Sequence, residues 1–153
     1  MIPFLVIGYG NELRGDDAAG PCVARQVAGW GRMEIKGIAV HQLTPELAAV
    51  LGEASVVVFV DACGEGGKGR LRPLEAGPDA ALGHTSDPRW LLTLGEVLCG
   101  RRPEAWLLTI PAADFGLGRR LSPTARAGVR SALRRIRRLA SALDRTKGAA
   151  RRA

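Results

Sequence analysis

The sequence is poor in the residues that build small metal and disulfide frameworks. It has three cysteines, Cys22, Cys63 and Cys99, widely separated and without a CxxC pair, and only two histidines, His41 and His84. An odd cysteine count completes no disulfide framework, and a structural zinc site calls for more ligands at closer spacing. Such cysteine usage fits a reducing, cytoplasmic compartment. Aromatic residues are 5% of the chain, and the apolar runs are strand-length, too short to cross a bilayer. The first residues, MIPFLVIGYGN, show no basic segment ahead of their short apolar run and read as a strand, without the pattern of a signal peptide. Acids are nearly missing from one region. Residues 119–153 hold 12 of the 22 Lys and Arg and a single acid, Asp144. That segment carries +11, whereas residues 1–118 hold 10 Lys and Arg against 14 acids and carry −4. The net charge of +7 therefore belongs to one end of the chain, which weakens its use as a nucleic-acid signal.

What is present is a hydrophobic pattern sufficient for one domain, with 153 residues of which 46% are hydrophobic. Ile2–Tyr9 reads as a buried strand ending in the turn signal Gly8-Tyr9-Gly10-Asn11. A helix is expected from Asp17 or Gly20 to Trp30, with Pro21 in its first turn. Residues 35–42 form a second strand candidate. Thr44 is expected to cap a short helix over residues 45–51. The run SVVVFV at 55–60 suggests a central strand covered on both faces. A glycine-rich loop at 64–69 precedes a short strand at 69–74, and Asp87-Pro88 opens another helix. Residues 105–110 form the last strand, and Ser122-Pro123 caps a final helix to about Leu143. Strands alternating with helices predict a three-layer α/β/α sandwich, its mostly parallel sheet of about five strands flanked by helices. The domain spans residues 1–143, and residues 144–153 read as a basic, disordered tail.

In such sheets ligands bind beyond the carboxyl ends of the strands. The first strand is followed by Asn11 and the acidic pair Asp16-Asp17, SVVVFV by Asp61, and the glycine-rich stretch leads to His84 ahead of a helix. Two carboxylate positions and an imidazole at one sheet edge suit a divalent metal or acid–base chemistry. Each also has a plainer reading: a helix cap for Asp16 or Asp17, a turn for Asp61, an ordinary loop histidine for His84. A dinucleotide fingerprint is disfavoured because Leu13 stands at the third glycine position and the acids would repel a pyrophosphate. Cys63 reads as packed or loop-lining, with no sign of a thiol–imidazole pair, and Ser122 as a cap with no nucleophilic role. In the final helix Val129, Leu133, Ile136, Leu139 and Leu143 form an apolar stripe. Arg126, Arg130, Arg134, Arg135, Arg137 and Arg138 cover the remainder, either as a solvated face or as a surface for an acidic partner. No aromatic interleaves with them, which argues against base stacking.

The segment Val6-Ile7-Gly8-Tyr9-Gly10-Asn11-Glu12-Leu13-Arg14-Gly15-Asp16-Asp17 resembles the opening signature of the nickel–iron hydrogenase maturation proteases. Val58-Phe59-Val60-Asp61-Ala62 resembles their second block, and Gly83-His84-Thr85-Ser86 their third, in the family's order. The resemblance implies a mainly parallel sheet between helices. It implies a cytoplasmic endopeptidase that removes a C-terminal extension from the hydrogenase large-subunit precursor after nickel insertion. It further implies Asp17, Asp61 and His84 as catalytic and metal-contacting residues, with nickel held by the substrate precursor. Asp16 is the supporting acid, and Gly10 and Asn11 shape the turn. The chain departs from the family where His41-Gln42-Leu43-Thr44 replaces an Asp-Gly-Gly-Thr-like stretch, which makes His41 a secondary site candidate. A different class is a non-catalytic chaperone of the same fold that binds metal or a hydrogenase subunit. A monomer without membrane or nucleic-acid partners is expected.

Overall fold

The computed structural model describes residues 1–64, 69–75 and 87–152. Among these residues five strands form one sheet: β1 (Ile2–Tyr9), β2 (Ile35–Val40), β3 (Ala54–Cys63), β4 (Arg70–Pro73) and β5 (Glu104–Pro111). Their spatial order is β2-β1-β3-β5-β4. The first four in that order run parallel, with Val6 opposite both Gly37 and Val58, and Val58 opposite Trp106. Short, exposed β4 closes the edge antiparallel to β5. Among the described residues the helices are α1 (Ala19–Ala28), α2 (Leu47–Glu53), α3 (Pro88–Cys99) and α4 (Pro123–Arg152).

The unbroken apolar strands fit this arrangement because side chains alternate across a sheet buried on both faces. Phe4, Val6, Val56 and Val58 face one core with Val23 and Val27 of α1 and Val129 and Ile136 of α4. Leu5, Ile7, Val57 and Phe59 face the other with Leu47 and Leu51 of α2 and Leu91 and Leu92 of α3. The result is the expected three-layer α/β/α sandwich, with β3 at the centre of the sheet. Among the described residues no helix is long and apolar enough to cross a membrane.

Several boundaries differ from the sequence reading. The first helix is preceded by a 3₁₀ turn, Gly15–Ala18, and ends at Ala28, two residues short of Trp30. The short second helix starts at Leu47, and its first residue bonds to the Thr44 carbonyl at 3.1 Å. The Thr44 hydroxyl bonds to Glu46 and does not cap the helix. β3 continues to Cys63, so Asp61 stands inside the strand opposite Thr109. The final helix does not stop near Leu143 but runs to Arg152. Its last turns contain Ala, Arg and Lys, good helix formers that need no core contact to stay helical. Asp144, on the same stretch, pairs with Arg32 at 3.7 Å.

Candidate active site

The site is built where β1 and β3 end. Gly8 and Gly20 let the start of α1 lie directly on this edge. A Cβ on Gly8 would stand 1.9 Å from the Gly20 carbonyl oxygen, and one on Gly20 2.4 Å from the Val60 carbonyl oxygen. Gly10, with φ of +151°, then turns the chain back, and a side chain there would collide with the Asp17 backbone at 2.0 Å. The Gly10 amide donates to the carbonyls of Val40 and His41, tying the turn to the end of β2. The Asn11 side chain accepts from the Leu13 amide at 3.0 Å and fixes the turn locally. The Asn11 amide in turn donates to the Asp17 carboxylate. Gly10 and Asn11 thus hold one candidate acid in place.

The adjacent acid has a different environment. Asp16 is completely buried, and its carboxylate accepts from the amides of Ala113 (2.8 Å), Asp114 (2.9 Å) and Ser122 (2.7 Å), and from the Ser122 hydroxyl (2.6 Å). Burial alone would raise its pKa, but the four donors together hold it below the ordinary value. Ser122 also accepts from the Ala125 amide at 3.1 Å, the capping bond at the start of α4. Asp16 therefore braces the loop after β5 and the last helix against the first turn.

Asp61 projects on the α2–α3 side of β3 and is partly buried. Burial, with a further push from the negative charge of Asp17, raises its carboxyl to about 6, against a lowering by the Tyr9 hydroxyl and the Ala62 amide. Burial and the neighbouring carboxylates of Asp61 and Asp87 drive the Tyr9 phenol upward, so it remains a hydrogen-bond donor to Asp61. Tyr9 and Asp61 open into a cleft of about 830 Å³, with Arg72, Asp87 and Arg89 on its walls. Asp87 accepts from the Arg89 amide at 2.8 Å and caps α3 as its sequence position indicated.

The fold thus brings Asp17 and Asp61 within electrostatic reach of each other. His84, the third candidate, lies outside the described residues. Among the described residues no three His, Cys, Asp or Glu side chains group as a metal cage. His41 is exposed and borders a second cleft of about 780 Å³ with Gly10, Asn11, Cys22 and Arg119, separate from the cleft of Asp61. Cys63 donates its thiol to the Ile110 carbonyl at 3.2 Å. Sequence reasoning missed Tyr9. The available signal was an aromatic hydroxyl between two glycines at the end of the first strand, whose partner on the next strand only the sheet register supplies.

No family model matches this sequence, and none of the curated proteins searched matches it. Solved structures do. HycI, a nickel–iron hydrogenase maturation protease from Thermococcus kodakarensis KOD1, is 21% identical with a TM-score of 0.70, over 94% of this chain and 93% of that one. HybD, a nickel–iron hydrogenase maturation protease from Thermococcus kodakarensis, is 24% identical with a TM-score of 0.66, over 90% and 99%. The hydrogenase maturating endopeptidase HybD from E. coli is 18% identical with a TM-score of 0.68, over 88% and 89%. Sheet, helix layers and near-complete mutual coverage together give this chain the fold of the nickel–iron hydrogenase maturation proteases.

Proposed function

We propose that this protein is an endopeptidase of hydrogenase maturation, removing a C-terminal extension from a large-subunit precursor once nickel has been inserted. The observation that carries the reading is the partly buried Asp61, raised to about 6 beside Asp17, at the sheet edge of a fold shared with maturation proteases. A carboxylate with such a pKa titrates close to neutrality, which is useful for holding or releasing a proton during peptide hydrolysis. Two carboxylates and an imidazole also form a reasonable donor set for nickel.

In this reading the nickel comes as cargo of the substrate, and Asp17, Asp61 and His84 contact it. The metal supplies polarisation of a peptide carbonyl or of a water. The chain's own groups position the substrate. The Asn11 amide holds the Asp17 carboxylate, and the Tyr9 hydroxyl holds that of Asp61. Asp16 is already committed to four donors and serves as the brace beneath them. Contact with substrate-bound nickel would make cleavage a check on metal loading.

The test is incubation with nickel-loaded and nickel-free precursor, following the mass of the large subunit. Cleavage of the loaded form alone is expected, and equal cleavage of both removes the nickel-sensing role. Stable binding of the precursor without any cleavage would place the protein with non-catalytic maturation chaperones.

A further inference from the structure

The final helix carries a charge pattern that the core does not use. Its apolar side, with Ala125, Val129, Ala132, Ile136 and Ala140 buried, is docked on the sheet. On the opposite side Arg126, Arg130, Arg134 and Arg138 follow one another four residues apart, all exposed. At 100° per residue they occupy an arc of about 120° and a length of about 18 Å, and Arg145 and Arg152 extend the same arc. None of these guanidinium groups pairs with a carboxylate among the described residues, unlike Arg25, Arg32, Arg89 and Arg102 elsewhere.

The stripe is connected to the candidate site. The helix begins at Ser122, whose amide and hydroxyl are both held by Asp16, the neighbour of Asp17. Arg119, just before it, lines the cleft beside Gly10, Asn11 and His41. A row of cations without a carboxylate partner among the described residues therefore leads away from the end of the helix that is tied to Asp16.

We propose that this arginine face is an exosite that docks an acidic segment of the protein substrate and delivers the adjoining chain to Asp17 and Asp61; it rests on the peptidase reading above. Guanidinium forks pair with carboxylates in two-point fashion, and a row of them favours an extended acidic stretch. Residues 119–153 contain no aromatic residue, Asn or Gln, so the aromatic platforms for base stacking and the amides that read adenine are missing. Because the apolar side of the helix is spent on the sheet, it has no apolar face to bury in a lipid surface. The start of the helix beside Asp16, and Arg119 in the cleft bordered by Asn11, whose amide holds Asp17, assign the acidic partner to the molecule being cleaved.

The experiment compares the wild type with the quadruple variant Arg126→Glu, Arg130→Glu, Arg134→Glu and Arg138→Glu, on the full nickel-loaded precursor and on a short peptide spanning the scissile bond. On the precursor, KM should rise about tenfold or more with kcat within about twofold. The wild-type kcat/KM should fall between about 50 and 300 mM salt while the variant's stays nearly flat. The short peptide should be cleaved equally by both if it is a substrate, and circular dichroism should show equal helix content. A variant with unchanged KM and unchanged salt dependence overturns the exosite. So does tighter retention of duplex DNA than of precursor by the wild type, or a salt-sensitive dimer that the variant loses. If the wild type neither binds nor cleaves the precursor, the peptidase reading itself falls and the exosite with it, an outcome recognisable without the variant.

Discussion

Asp16 and Asp61 are two carboxylates at the same sheet edge with opposite fates. Asp16 is fully buried and accepts four hydrogen bonds, from Ala113, Asp114 and twice from Ser122. Asp61 opens into a cleft, and its hydrogen bonds from Tyr9 and Ala62 do not offset its burial and the charge of Asp17. One carboxyl is lowered and the other raised to about 6. The difference teaches that solvent exposure alone does not set the role of an acid. A carboxylate saturated with donors has no capacity left for a ligand and works as a brace, whereas one that ionises reluctantly beside another acid gains by meeting a cation or a proton.

The strongest way to break this contrast is to remove the open acids. Asp61→Ala and Asp17→Ala should each lower precursor cleavage by about 10³-fold or more while leaving the thermal midpoint close to the wild type's. Cleavage within tenfold of the wild type in both variants would take the chemistry away from this edge. Removing the brace should do the reverse in kind. Asp16→Ala leaves buried donors unpaired and should cost about 3 kcal/mol in urea unfolding, with activity lost only through instability. Since Asp16's folded pKa lies below its unfolded one, its contribution is present above pH 3.8 and is lost as pH falls through the folded value. Asp16→Asn should therefore shallow the acid limb of the stability profile.

Ser122→Ala removes both the cap of α4 and one donor to Asp16, and about 2 kcal/mol of stability should go with it. A loss under about 0.5 kcal/mol would mean that the two bonds are not coupled to folding. The smallest effect has the opposite sign. With its folded pKa raised, Asp61 contributes stability that is present below pH 3.8 and is lost as pH climbs through about 6. In the metal-free protein Asp61→Asn should gain about 1 kcal/mol at pH 7 and flatten that decline. A variant less stable than wild type at pH 7 would contradict the environment described for this carboxyl.

Much of the framework was legible in the chain. The strand cores of β1, β3 and β5 follow from unbroken apolar runs, the caps of α3 and α4 from Asp87-Pro88 and Ser122-Pro123, and the turn from Gly10-Asn11. Boundaries were less so, because a helix end such as that of α4 depends on propensity after its apolar stripe has run out. The partition of the acidic pair was not legible in the residues themselves, and only the family resemblance names Asp16 as the supporting acid. Asp16 and Asp17 are neighbours of identical chemistry, and which of them is spent on structure depends on residues 97 to 106 positions later.

The amino-acid sequence by itself determined an alternating α/β chain with a glycine turn and acids at the carboxyl ends of its strands, because hydrophobic period and turn chemistry are local. Only the tertiary structure decided that Ser122 and the loop after β5 capture Asp16, that Tyr9 reaches Asp61 across to the next strand, and that the exposed arginines of α4 find no carboxylate among the described residues. Those outcomes rest on sheet register and helix docking, which bring together groups that no local pattern links.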